Sequence, residues 1–253
     1  MATIVSVHSF RGGTGKSNTT ANIAAVLASD GKRVGVIDGD IQSPGIHTIF
    51  GLASDDVTST LNDFLWHGKQ ISEVAIDVTD RQGVNLPGKM FLIASSMQPS
   101  EITRVLREGY DARRLSEGIR ALVETLSLDV LVLDTHPGLN EETLLSLVIS
   151  DALLIIMRPD RQDYEGTGIT ARVAKELQVP RIQLLVNKAP QSLDAAQIAR
   201  TAEAAYGIPV VAVMPHSDEL MLLASEGLFV LRNPDHPLTA LYRKVAGSLT
   251  SVA

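Results

Sequence analysis

The sequence predicts a doubly wound α/β fold, a mostly parallel sheet with helices on both faces. Seven short β-branched runs alternate with longer helical patterns along the 253 residues. The runs are continuously apolar rather than alternating, as expected of strands covered on both sides. Between them, apolar residues recur at helical spacing, which is the signature of crossover helices packed on such a sheet.

In chain order the candidate strands are Thr3–Val7, Arg33–Ile37, Lys89–Ala94, Val130–Leu133, Ala152–Met157, Ile182–Val186 and Val210–Val213. A helical pattern over Thr19–Ala28 follows the first strand. Ile119, Leu122, Val123 and Leu126 make one core-facing stripe, and Ile169, Val173 and Leu177 make another. Leu238, Leu241, Val245 and Leu249 make a third near the end of the chain. The stretch from Leu52 to Gly88 is the least regular and reads as an excursion from the sheet. No repeat, low-complexity tract or linker divides the sequence, so residues 1–253 are expected to form a single domain.

Composition narrows the chemistry. There are 22 Lys and Arg against 29 Asp and Glu, a net charge of −7, and no cysteine. Disulfides, thiolate zinc sites, cysteine nucleophiles and iron–sulfur ligation by these residues are thereby excluded. No apolar stretch approaches the roughly 18 residues of a membrane span. The opening Met1-Ala-Thr-Ile-Val reads as strand with no basic segment ahead of it, so a cytoplasmic protein is expected. Six histidines show no metal-ligand spacing, and no G-x-S-x-G elbow is present. Arg104, Arg107, Arg113, Arg114 and Arg120 form the densest basic stretch, interleaved with Glu101, Glu108, Asp111 and Glu117. This reads either as a solvated helical face with local ion pairs or as a phosphate-contacting patch.

Ligands of a doubly wound sheet bind beyond the carboxyl ends of its strands. After the first strand comes Ser9-Phe10-Arg11-Gly12-Gly13-Thr14-Gly15-Lys16-Ser17-Asn18. A strict phosphate loop, G-x-x-x-x-G-K-[ST], requires glycine where this chain has Phe10. The physical content survives that departure. Three glycines let successive backbone N–H groups turn towards an anion, and the helix that follows aims its positive end at the same place. Lys16 can reach β- and γ-phosphate oxygens, and the Ser17 hydroxyl can ligate Mg2+. Asp134 closes a wholly apolar strand, a costly place for an acid unless something at the sheet edge uses it. Asp38 and Asp40 stand two apart beyond another strand, so both can face the phosphates. Helix caps and loop solvation are the alternative reading for all three.

The segment Arg11–Ser17 resembles the deviant Walker A box of the ParA/MinD family, K-G-G-x-x-K-[ST]. Val36-Ile37-Asp38-Gly39-Asp40-Ile41-Gln42-Ser43-Pro44-Gly45 resembles that family's second acidic motif, and Leu131-Val132-Leu133-Asp134-Thr135-His136-Pro137-Gly138 its Walker B strand. The resemblance covers essentially the whole chain. It implies a P-loop ATPase with ATP and Mg2+ as cofactors, although spacing alone leaves GTP open. It assigns Asp134 a water-mediated metal contact, Asp40 the attacking water, and Asp38 support of the metal or the loop. It places the adenine against the strand ends Asn187-Lys188 and Met214-Pro215, with the Asn187 amide on the exocyclic amine; an ordinary turn is the other reading.

Position 11 departs from the family's lysine, which crosses to the partner's phosphates in a nucleotide-sandwich dimer. Arg11 keeps the charge but presents a wider planar fork. It acts across the dimer, or it stacks locally while a distant lysine takes that role. The same loss marks the branch resembling carboxysome-distribution (McdA-like) ATPases. The resemblance further implies an ATP-dependent homodimer that hydrolyses slowly, with a ParB-like or McdB-like activator. That dimer would bind non-specific DNA, sit on the nucleoid when ATP-bound and distribute a cargo. A MinD-like membrane-associated protein, an ATP-gated adaptor with negligible hydrolysis and an ATP-dependent biosynthetic ligase are the alternatives. The C-terminal stripe carries only Arg243 and Lys244, too little charge for a membrane anchor.

Overall fold

The computed structural model describes residues 2–251. Its strands are β1 (Thr3–His8), β2 (Arg33–Gly39), β3 (Ala75–Asp77), β4 (Lys89–Ile93), β5 (Val130–Thr135), β6 (Ala152–Met157), β7 (Arg181–Ala189) and β8 (Val210–Pro215). They form one sheet in the order β3-β4-β2-β5-β1-β6-β7-β8. Every neighbouring pair is parallel except β3 with β4.

Alternate strand residues pack on opposite faces, which is why the runs are continuously apolar. Val5, Val34, Val36, Val132, Leu154 and Ile156 join one core with the helices Lys16–Ser29 and Pro237–Thr250. On the other face, Ile37, Leu131 and Leu133 pack with the helix Ala112–Thr125, and Leu153, Ile155 and Met157 with Arg161–Glu176. Leu238, Val245 and Leu249 of the C-terminal stripe are buried, with Leu241 half-buried beside them. That stripe is core.

Three expectations need correction. Segment 52–88 is not wholly outside the sheet, because Ala75–Asp77 returns as an antiparallel edge strand on β4. Three residues are too short a run to register as a strand. The 169–177 stripe is not the buried face of its helix: Ile169 is 40% exposed, and Gly166, Thr167, Thr170, Ala171 and Ala174 face inward. Small residues win because the helix lies close on the sheet. A Cβ on Gly166 would stand 2.0 Å from the Phe10 ring. Finally, β1, β2, β5, β7 and β8 run beyond their apolar stretches, and β4 stops at Ile93. The polar residues that end those strands are the ones facing the site.

Candidate active site

β1 lies between β5 and β6, and the chain leaves it for β2 on the far side of β5. This reversal opens a crevice at the carboxyl end of β1, and the glycine loop fills it. Gly13 and Gly15 adopt φ of 77° and 95°, a left-handed backbone open to glycine at little cost. The inner side of the loop is clear: a Cβ on Gly12 or Gly13 would meet nothing within 4 Å. Residues 12–18 line a cavity of about 350 Å³ together with Ser9, Asp40, Ser43, Pro137 and Lys188. The helix Lys16–Ser29 begins within the loop, so Lys16, Ser17 and Asn18 occupy its first turn at the positive end of the dipole.

Lys16 and Asp134 form a buried ion pair, with Nζ 3.0 Å from Oδ1. The Thr20 hydroxyl donates to the same oxygen at 3.2 Å. Asp134 Oδ2 and Thr14 Oγ1 are buried without partners. Thr14 belongs to the cavity lining, and Asp134 lies behind Lys16, outside it. A glycine cradle, a lysine, a first-turn hydroxyl and an unsatisfied carboxylate oxygen together fit a metal-bound triphosphate.

β2 and β5 are in register with Asp38 opposite Asp134. Asp38 is fully buried, its carboxylate accepting the Asp40 N–H at 3.2 Å and the Gly45 N–H at 3.3 Å. Burial, then the charges of Asp134 and Asp40, push its carboxyl up to about 8. Asp40 behaves oppositely. Burial alone raises it, but the His136 hydrogen bond, Lys16 and Ser43 outweigh burial and hold it below the usual carboxylate range. His136 Nδ1 stands 2.6 Å from Asp40 Oδ1, and Ser43 donates to the same oxygen from Oγ at 3.0 Å. His8, under the loop, is held down to about 3 by burial and by the charges of Lys16 and His136.

The raised Asp38 carboxyl has a measurable consequence. Its folded value lies above the unfolded one, so the ligand-free protein keeps a proton that the unfolded chain releases above about pH 4. Stability then falls as pH rises from about 4 to 8. In Asp38→Asn that decline should flatten, as urea unfolding across the range will show; an unchanged slope would refute the assignment.

The far wall comes from β7. Asn187 donates Nδ2 to the Thr14 carbonyl at 2.8 Å and accepts the Lys188 N–H at 2.9 Å. Its amide thereby braces the loop. Lys188 reaches the Gly13 carbonyl at 2.8 Å from a left-handed φ of 55°, local strain of the kind that gathers at functional sites. Pro215 ends β8 opposite Ala189, exposed to solvent.

Arg11 pairs with acids of its own chain. Its Nη1 lies 3.3 Å from Asp163 Oδ1 and 3.5 Å from Asp160 Oδ1, and Arg158 engages both acids as well. The contact with Asp160, both side chains being part-exposed, is worth about 1 kcal/mol or less, and the buried Asp163 keeps Arg158 as a partner when Arg11 leaves. Of the five arginines at 104–120, Arg104 pairs with Glu108 over the Trp66 ring, and Arg114 donates to the Phe64 carbonyl. Arg107, Arg113 and Arg120 remain exposed.

The loop, the two acid-ended strands and the reversal at β1 together define a P-loop nucleotide site. The AAA domain family, in its AAA_31 form, matches residues 2–185. The chain belongs to this family. The chain is 26% identical over 250 residues to an uncharacterized ATP-binding protein of Methanocaldococcus jannaschii, covering 98% of this chain and 88% of the other. It is 27% identical to septum site-determining protein MinD of Helicobacter pylori, covering 92% and 85%. Similarity to an iron–sulfur cluster carrier protein of Pyrococcus abyssi is 28% over 185 residues, 72% of this chain and 60% of that protein. Among solved structures, MinD of Pyrococcus horikoshii with Mg-ADP superposes with a TM-score of 0.80 at 20% identity, covering 98% and 96%. Apo McdA of Cyanthece superposes at 0.79 with 16% identity, covering 99% and 100%. The fold is that of the MinD and ParA ATPases.

Sequence reasoning missed the His136–Asp40 bond and the Asp160–Asp163–Arg158 cluster. The first had a signal: β2 and β5 end together, with Gly39 set against Thr135, so Asp40 and His136 each follow one residue beyond. Reading it required the strand order.

Proposed function

We propose that this chain is an ATP-hydrolysing positioning switch that dimerises around ATP, holds non-specific DNA as a dimer and releases it on hydrolysis. The carrying observation is the open glycine cradle closed on one side by the Lys16–Asp134 pair and faced by Asp40. The backbone amides of residues 12–18 and Lys16 would hold the phosphates, and Ser17, Asp38 and Asp134 the metal shell. Bound Mg2+ supplies the charge that offsets the build-up on the transferred phosphoryl group. Asp40, kept ionised and oriented by His136, places the attacking water. Asn187, Lys188 and Pro215 form the wall on which the base would lie.

Arg11 gives the switch its two positions. Paired with Asp160 and Asp163 it is satisfied in cis; drawn onto a partner's phosphates it would close the dimer. DNA is favoured over a membrane surface because the C-terminal apolar stripe is spent on the core. Among the described residues no helix is long and apolar enough to cross a membrane. Arg107, Arg113 and Arg120, without acidic partners among the described residues, supply phosphate contacts once two copies join. The cargo role, the ParB-like or McdB-like activator and the cytoplasmic, nucleoid-bound location follow from the same reading. An iron–sulfur carrier role is not adopted, since these 253 residues offer no thiolate.

Sizing with a non-hydrolysable ATP analogue, ADP and no nucleotide tests this. The analogue alone should give a dimer, and Arg11→Ala should stay monomeric. Retention on DNA should require the analogue and weaken at least about tenfold between 50 and 200 mM salt, as two or more phosphate contacts per complex demand. Normal dimerisation of Arg11→Ala, or equal retention with ADP, would defeat the proposal.

A further inference from the structure

A second arginine reaches the acids that hold Arg11, and the phosphate chemistry above makes no use of it. Arg158 is the first residue past the end of β6. The parallel pairing of β1 with β6 sets His8 level with Ile155. Arg11 and Arg158 each follow that pair by three residues, so both guanidinium groups come to the same end of the sheet. Asp160 and Asp163, at the start of the helix Arg161–Glu176, meet them there.

The bonding is divided by oxygen. Arg11 Nη1 takes Oδ1 of both acids, 3.5 Å from Asp160 and 3.3 Å from Asp163. Arg158 takes Oδ2 of both, with Nη2 at 2.9 Å from Asp160 and Nε at 3.3 Å from Asp163. The Arg158 backbone N–H also donates to Asp163 Oδ2, at 2.8 Å, and Asp160 Oδ1 accepts the Asp163 N–H at 3.1 Å. Departure of Arg11 therefore vacates one oxygen, Asp163 Oδ1, and leaves each acid with a cation.

The Asp163 side chain is only 3% exposed. A buried carboxylate stripped of its last cation is strongly unfavourable. With Arg158 present, Asp163 is spared that state. Without it, Arg11 would be the one cation on Asp163 among the described residues, and would be held in cis.

We propose that Arg158 is a positioning residue for ATP-driven dimerisation. It keeps Asp160 and Asp163 neutralised, so that Arg11 can leave them for the partner's phosphates. This role rests on the reading of Arg11 as the residue that crosses to the partner.

Sedimentation of the full chain with a non-hydrolysable ATP analogue tests it, with circular dichroism as the check on folding. Arg158→Met removes the cation and keeps the bulk. It should raise the protein concentration at half-dimerisation by at least about tenfold, because Arg11 must then abandon a buried acid. Adding Asp163→Asn, whose amide oxygen can still accept the Arg158 N–H position, should bring that concentration back to within about threefold of wild type. Damage to the fold would give no such recovery. Asp163→Asn alone should dimerise at least as tightly as wild type, an arm that stands even where Arg158→Met does not fold. Weaker dimerisation by Asp163→Asn, or no recovery in the double variant, overturns the role of Arg158. Wild-type dimerisation by Arg158→Met while Arg11→Ala stays monomeric overturns that role alone. Normal dimerisation of Arg11→Ala overturns the reading beneath it.

Discussion

Lys16→Ala should lower ATP turnover by about two to three orders of magnitude, the usual cost of losing one preorganised charge at a transferring group. It should also destabilise the ligand-free protein by about 3–5 kcal/mol. The second effect comes from what is left behind. Asp134 is 1% exposed and, among the described residues, has only Lys16 and the Thr20 hydroxyl as partners, both on a single oxygen. Without the ammonium the carboxylate is a buried, nearly naked charge. Adding Asp134→Asn should therefore recover most of the lost stability and none of the activity. Urea unfolding at pH 7 beside a phosphate-release assay separates the two. Wild-type stability in Lys16→Ala would show that the pair carries no weight in the fold, and wild-type turnover would remove the loop from the chemistry.

The second large effect concerns the carboxylate that faces the cavity. Asp40→Asn should cut turnover by about 10²- to 10⁴-fold, the span of a positioned acid–base group, while nucleotide affinity changes only a few-fold. His136→Gln should act through Asp40. With the 2.6 Å bond to imidazole gone, the depressed Asp40 carboxyl moves up towards its ordinary value. The sign is definite: an acid that must be ionised loses its working form at a higher pH, so the acidic limb of the rate profile shifts upward. The same depression lends the folded protein stability above the unfolded pKa that is lost as pH falls. A His136→Gln profile superposing on wild type would exclude this positioning role.

How far the sequence alone reached depended on whether a feature is local. The loop, its helix and the two acid-ended strands are each written in one contiguous stretch, and all lie where their order in the chain places them. The strand interiors were legible because both faces of the sheet are buried, which leaves an unbroken apolar run. Partnerships across the sheet were not. His136 meets Asp40 because β2 and β5 are neighbours, 96 residues apart in the chain. Asn187 gives its amide to a loop 173 residues away. The helix at 161–176 misled for another reason. Its inward face is built of glycine, threonine and alanine, so a search for large apolar side chains found the outward one.

That helix has a consequence for how this chain can vary. Phe10 occupies the place where a strict phosphate loop has glycine, and its ring lies against Gly166 on the helix whose first turn also carries Asp163. The bulky residue and the bare one are therefore a matched couple. Trimming Phe10 alone leaves a void under the loop, and dressing Gly166 alone drives a methyl group into the ring. Arg11 is next in sequence to Phe10, so any slippage of this couple also resets the reach of the guanidinium. An aromatic–glycine fit at the start of the loop thus bears on how far the arginine extends.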